Sequence, residues 1–193
     1  MKTRTLSLII IFTALAAALN VYGPKIPFPL APFLFFTLWE IPIVLGFVMA
    51  GPKSGVIISI INTLILLVVF PGSLPTGPLY NLAAVLAMFI GIYLPYWFAR
   101  RGCKSENIGS YLRSHLIAFT ISATVLGIGV RVLLLTIINF FALQQPYPIG
   151  FSMPQDAVLL FLPVGAAFNA IVAAYTILIA IGITAAISSR IKI

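Results

Sequence analysis

The sequence predicts an all-α, polytopic membrane protein of about six transmembrane helices, with the N and C termini in the cytoplasm. Of its 193 residues, 62% are hydrophobic and only 7% are charged, and the apolar residues form six long runs. A soluble domain averages about 25% charged residues, so this chain has too few charges to cover a water-facing surface. A mean hydropathy of +1.18 fits lipid as the solvent, and the length fits one transmembrane domain over residues 1–193.

The six apolar runs are separated by breaks that contain prolines, glycines or charged residues. Proline removes a backbone donor and glycine lowers helix propensity, so clusters of the two mark turns. A spanning helix needs about 20 residues, and the second run is short for that length. The runs are Leu6–Tyr22, Leu38–Ala50, Ser54–Phe70, Leu79–Ala99, His115–Leu143 and Ala157–Ile187.

The first break, Gly23–Thr37, is apolar although it cannot form a regular helix. It contains four prolines within nine residues, at Pro24, Pro27, Pro29 and Pro32, and so many prolines interrupt helical hydrogen bonding. We expect this segment to fold back against the protein or the membrane interface.

The basic residues predict the orientation of the helices. With six spans, nine lysines and arginines fall on the side of the two termini, and only Lys25 falls on the other side. Positive residues are retained in the cytoplasm, so both termini are predicted to lie there. The formal charge of +8 is thus explained by topology, and we expect no nucleic-acid partner. The nine residues are Lys2, Arg4, Lys53, Arg100, Arg101, Lys104, Arg113, Arg190 and Lys192.

The N-terminus also fits a cleaved signal peptide, because two basic residues precede an apolar run and Ala14-Leu15-Ala16 resembles a cleavage site. The apolar run continues to Tyr22, which favours a retained first helix.

Arg131 is the most informative polar residue, since charged groups inside a membrane are costly and mark functional sites by default. It lies 16 residues into the fifth run, or about 24 Å from the cytoplasmic start. One hypothesis is a cationic anchor for a polar or anionic solute. The alternatives are an internal partner for Glu40 or Asp156, or a side chain that extends to the outer headgroups.

Five further residues are candidates for a binding site or for packing. Glu40 and Trp39 lie at the outer start of the second run; Glu40 also suits a helix N-terminus, and Trp39 suits an interface anchor. Asn81 and Asn169 lie towards the outer ends of their helices and suit either ligand binding or interhelical hydrogen bonds. For Asn62 the structural role is favoured.

The sequence shows no catalytic constellation. A single His and a single Cys cannot build a metal cluster, and no phosphate-binding glycine loop or activated nucleophile is present. We therefore predict no enzyme activity, no catalytic or metal-ligating residue and no cofactor.

Short motifs follow one another in a recognisable order between Ala14 and about Leu94, with one more near the end of the chain. They are the small-residue pair Ala14 and Ala18, Pro27-Phe28 leading to Glu40-Ile41-Pro42, then Gly51-Pro52, Gly55 and Asn62, then Gly77 to Asn81, and finally Phe168-Asn169. In order and spacing this set resembles the substrate-binding (S) components of energy-coupling factor (ECF) vitamin transporters, and is nearest to the riboflavin-binding members.

The resemblance implies a six-helix, multi-pass protein of the cell membrane that binds a vitamin-like small molecule for uptake. It implies that the first loop helps to close an outward-facing pocket, with Asn81 and Asn169 at ligand positions. It also implies that Ala14 and Ala18 face a transmembrane coupling subunit, which works with two ATPase subunits.

The chain departs from the riboflavin-binding pattern at three positions, where Thr37, Ile61 and Val172 replace charged residues of that pattern. Two other functions remain open. A stand-alone small-solute permease needs a polar path through the inner halves of the helices, and little beyond Ser59, Ser122 and Thr124 provides one. A non-catalytic membrane assembly subunit needs only close-packing faces.

Overall fold

A computed structural model describes residues 3–69, 74–102 and 108–190. Six helices and one short hairpin make up the described chain. They are α1 (Thr3–Tyr22), β1 (Ile26–Phe28), β2 (Ala31–Phe36), α2 (Glu40–Ala50), α3 (Pro52–Val69), α4 (Gly77–Gly102), α5 (Ile108–Ala142) and α6 (Gln155–Arg190). The six predicted helices are confirmed, whereas the hairpin was not predicted.

Five of the described helices, all except α2, are long and apolar enough to cross a membrane. Helix α2 has 11 residues, so it is about 16 Å long, roughly half the thickness of a bilayer's hydrocarbon core. The fold is therefore that of a membrane-embedded helical protein, and the count of six spans stays a prediction.

The helix boundaries follow most of the predicted breaks, but α5 begins at Ile108, before the predicted start of the fifth run at His115. Helix α2 ends at Ala50 and is capped by Gly51, whose positive φ of 96° favours glycine. Helix α5 is interrupted at His115 by a non-helical backbone (φ −129°, ψ 26°), which is where the fifth apolar run was predicted to begin. The first three residues of the predicted turn Pro71–Pro78 and the basic residues Lys2, Lys104 and Lys192 lie outside the described residues.

Helix α2 forms the centre of the bundle. Every residue from Glu40 to Val48 is buried, and α2 packs against α1, α3, α4 and α6. A helix that is apolar on nearly all sides is typical of a protein core or of a membrane span. Here α2 lies in the core, and of its residues Met49 and Ala50 alone are partly exposed.

Helices α2 and α3 form an antiparallel pair joined at Gly51. Gly55 of α3 lies against Phe47, where an added Cβ would come within 2.6 Å of the Phe47 Cβ. Gly46 of α2 lies directly against the side chain of Ile58. These contacts fix the register in which the two helices run past each other.

The first loop forms an antiparallel hairpin, with Ile26 opposite Phe36 and Pro27 opposite Phe35. Its aromatic side chains dock onto α6: the ring of Phe36 stacks on Phe168 at 5.3 Å between centroids, and Phe28 lies 5.6 Å from the same ring. The predicted folding back is therefore observed, and the contact surface is α6. We call this end of the bundle the hairpin end.

A hydrogen bond also fastens the hairpin to α6, because the Tyr175 hydroxyl donates to the Thr37 carbonyl at 2.5 Å. Replacing Tyr175 by phenylalanine keeps the ring and removes this bond, which is worth about 1 kcal/mol. We expect amide hydrogen exchange of residues 26–36 to become about fivefold faster.

Tyr80 provides the matched control, since its hydroxyl donates to the Ile149 carbonyl in the α5–α6 loop instead. Tyr80→Phe should leave exchange in the hairpin unchanged. Equal exchange rates in the two variants would show that the Tyr175 hydroxyl does not fasten the hairpin.

Candidate functional site

Arg131 of α5 is buried inside the bundle, with 3% of its surface exposed. Its guanidinium meets the carboxylate of Glu40, which lies in the first turn of α2 and is 4% exposed. One nitrogen donates to Glu40 Oε2 at 2.5 Å and the other to Oε1 at 3.0 Å. The two residues therefore form a buried, bidentate ion pair, the geometry that suits arginine and carboxylate best.

Asn169 of α6 completes the cluster. Its Oδ1 accepts a hydrogen bond from Arg131 Nε at 3.1 Å, and its Nδ2 donates to the Gly165 carbonyl at 3.0 Å. The amide is thus oriented by its own helix so that its oxygen faces the guanidinium. Three helices, α2, α5 and α6, each contribute one side chain to this polar network.

The sulfur of Met88 on α4 lies 3.9 Å from Arg131, which brings a fourth helix to the guanidinium. Thioether sulfur is a soft, weak acceptor that fits an otherwise apolar wall. Sequence reasoning did not identify Met88, because nothing in the pattern of a single apolar helix marks the residue that faces a charge on another helix.

The electrostatics of the cluster follow from its burial. An isolated charge in an apolar interior is strongly disfavoured, whereas a paired and hydrogen-bonded one is tolerated. Here the positive charge of Arg131 is compensated by Glu40, so the network carries no net charge. Of the three hypotheses for Arg131, the structure shows the internal pair with Glu40; Asp156 is exposed in the first turn of α6.

Trp39 precedes Glu40 and is also buried, with 6% of its surface exposed. An interface anchor has to reach the lipid headgroups, so this burial contradicts that interpretation of Trp39. Its side chain is instead part of the hydrophobic core around α2.

Asn81 is not brought into the cluster. It is exposed on the first turns of α4, and the hydrogen bonds of Arg131 in the described structure go to other residues. Of the five predicted binding residues, Glu40, Arg131 and Asn169 therefore form one contact network, Trp39 adjoins it in sequence, and Asn81 lies apart.

Asn62 of α3 is buried, yet neither its Oδ1 nor its Nδ2 has a hydrogen-bond partner in the described part of the chain. The predicted interhelical hydrogen bond is therefore not observed. Sequence reasoning could place this amide inside the bundle but could not determine whether a partner faces it.

Ala14 and Ala18 are both exposed on α1, while Ala16 between them is fully buried. The small-residue pair thus lies on the outer surface of the bundle and does not pack an internal contact. This surface is open to lipid or to another membrane protein.

Among the described residues, no three His, Cys, Asp or Glu side chains come together in a way that could hold a metal ion. Comparison with protein-family models finds no match, and comparison with curated proteins finds none either.

Proposed function

We propose that this protein is the substrate-binding component of an importer for a vitamin-like small molecule, with a riboflavin-type ligand most favoured. The observation that carries the proposal is the buried network of Glu40, Arg131 and Asn169 inside an apolar bundle. A membrane protein retains such a costly group where it serves a function. The ordered motifs that resemble S components point to the same function.

The neutrality of the network supports a ligand without net charge. A charged ligand would either stay uncompensated in an apolar interior or separate Arg131 from Glu40, and both are costly. A neutral heterocycle avoids this cost and gains from the aromatic side chains of the hairpin and of α6, such as Phe36 and Phe168.

In this proposal the hairpin end faces the outside of the cell membrane and both termini are cytoplasmic. Basic residues in the described part of the chain support this orientation. Arg4 lies in the first turn of α1, Lys53 lies in the first turn of α3, and Arg100 and Arg101 lie in the last turn of α4, and all of these helix ends are opposite the hairpin end. The chain itself contains no recognisable ATP site, so active import requires the coupling subunit and two ATPases. The exposed pair Ala14 and Ala18 is the proposed docking surface for that subunit.

Riboflavin binding tests the proposal directly. The chain contains two tryptophans, so a Trp97→Phe background leaves Trp39, which precedes Glu40 in the sequence, as the fluorescent reporter. We expect co-purified flavin, or saturable quenching of Trp39 emission at a 1:1 ratio. Asn169→Leu removes the acceptor for Arg131 Nε and should weaken binding about tenfold or more.

Ser122→Ala is a suitable control, because among the described residues the Ser122 hydroxyl bonds within its own helix, to the Ala118 and Phe119 carbonyls. It should bind riboflavin like the parent. No binding of any vitamin in a broad panel would contradict a substrate-binding component. Solute flux in liposomes that contain only this chain would instead favour the stand-alone permease.

A further inference from the structure

Asn62 differs from its polar neighbours on the buried face of α3. The Ser59 hydroxyl donates to the Gly55 carbonyl at 2.8 Å, and the Thr63 hydroxyl donates to the Ser59 carbonyl at 2.9 Å. Asn62 is 1% exposed, and both its amide oxygen and its amide nitrogen lack a partner among the described residues. Its hydrogen-bonding capacity is therefore buried and unused.

Such an amide is costly for folding. Burying a donor and an acceptor without partners loses their hydrogen bonds to water, and leucine at the same position would avoid this loss. Residues that lower stability without a structural gain, such as a buried polar group with no partner, are concentrated at functional sites, where stability is exchanged for activity.

The register of α2 and α3 places Asn62 level with the charged network. Ile58 lies against Gly46. Because the helices are antiparallel, four residues further along α3 correspond to four residues back along α2, which pairs Asn62 with Pro42. Pro42 is in the first turn of α2, together with Glu40. The unused amide thus lies at the depth of the Glu40–Arg131 pair, on the α3 side of α2.

We infer that Asn62 is a ligand-binding residue that pairs with an amide or imide edge of a heterocyclic ligand. Its Oδ1 accepts from the ring N–H, and its Nδ2 donates to the adjacent ring carbonyl, because a primary amide presents this complementary pair of atoms. The inference rests on the proposed function. Both amide atoms are sealed from solvent in this conformation, so ligand binding has to open this side of the bundle.

The test compares Asn62→Leu with the Trp97→Phe parent, using riboflavin and its N3-methyl analogue as probes. We expect Asn62→Leu to raise the melting temperature without ligand by about 2–4 °C and to weaken riboflavin binding about tenfold or more. The N3-methyl analogue lacks the ring N–H, so the parent should bind it more weakly than riboflavin, and Asn62→Leu should no longer distinguish the two.

Thr63→Val is the matched control, since Thr63 is buried on the same helix face but its hydroxyl is already bonded. It should leave riboflavin affinity within about threefold of the parent. If Asn62→Leu lowers the melting temperature and leaves riboflavin affinity unchanged, the Asn62 amide has a structural role. If it raises the melting temperature and leaves the affinity unchanged, the amide either has no partner or is bonded to water. Either result overturns the inference.

The same titrations separate the inference from the proposed function. Binding of a vitamin without an amide or imide edge, together with no binding of riboflavin, would overturn the role of Asn62 and leave the importer proposal standing. No binding of any vitamin would overturn both.

Discussion

Replacing Arg131 by methionine is expected to lower the free energy of unfolding by about 3–5 kcal/mol, because it leaves the Glu40 carboxylate buried without its counter-ion. Methionine fills much of the space of the arginine side chain and removes the charge. Glu40 is only 4% exposed, so water cannot replace the lost partner. Unfolding in mixed detergent micelles, followed by circular dichroism, measures the change.

A double variant distinguishes loss of packing from loss of charge compensation. In Arg131→Met combined with Glu40→Gln, no unpaired charge remains, and we expect most of the lost stability to return. Removing both members of a buried ion pair is often nearly neutral, whereas removing one is not. The coupling energy between the two substitutions should therefore be large and favourable.

Arg101→Met is the control for Arg131→Met, because it also removes an arginine, but one that is exposed near the end of α4. Arg101 is exposed and stacks on Trp97 at 3.6 Å, a contact worth about 0.5–1 kcal/mol at such a site. If Arg131→Met costs no more than Arg101→Met, the buried pair does not hold α2 and α5 together.

The partner of Arg131 shows which part of the candidate site could be predicted from the sequence. The length of the fifth apolar run predicts that Arg131 lies in the outer half of the membrane, on the same side as Glu40 and Asp156, and either carboxylate fits as its partner. Only the packing of α2 in the centre of the bundle selects Glu40, and that packing depends on contacts between helices that are far apart in the chain. Depth could be predicted from helix geometry, but the neighbour on another helix could not.

The hairpin shows a different limit. Four prolines correctly excluded a helix between α1 and α2, but strands were not predicted, because side chains on both faces of the hairpin are apolar. The alternation that indicates a half-buried strand is therefore missing. One face docks on α6 through Phe28 and Phe36, and the side chain of Phe35 is exposed. The hairpin packs against α6, and the local sequence of the hairpin does not encode these tertiary contacts.

The length of α2 illustrates a third limit. The second apolar run is short for a transmembrane span, and the structure shows an 11-residue helix there. The sequence could not indicate that four other helices surround it. Its uniform hydrophobicity is compatible with lipid and with a protein interior alike.

Gly91 lies where the backbones of α4 and α5 are in close contact, and its replacement by alanine is expected to be the second large effect. An added Cβ would lie 2.5 Å from the Leu126 carbonyl carbon and 2.7 Å from the Gly127 Cα, in addition to a collision with the Leu126 carbonyl oxygen. All three atoms belong to the backbone of α5, so no side-chain rotation can relieve the contact. We expect Gly91→Ala to cost about 3 kcal/mol.

Gly129→Ala is the matched control on α5, because, apart from the adjacent backbone of its own helix, no atom of the described residues lies within 4 Å of the position of its Cβ. There alanine improves helix propensity without a collision and should stabilise by about 0.5–1 kcal/mol. Unfolding in mixed micelles measures both variants. Similar stabilities for the two would show that α4 and α5 do not approach at Gly91 as closely as the structure has them.

The position of Gly91 also connects this helix contact to the site. Met88, which contacts Arg131, lies one turn before Gly91 on α4, and Arg131 lies one turn after Gly127 on α5. We therefore expect a bulkier residue at Gly91 to move α5 away from α4 close to the Arg131 guanidinium. If the damage comes from backbone collision, Gly91→Ala should cost as much in the uncharged Arg131→Met, Glu40→Gln background as in the parent. A smaller cost there would mean that displacement of Arg131 from Glu40 accounts for part of the loss, because the two effects are additive only when the sites are independent.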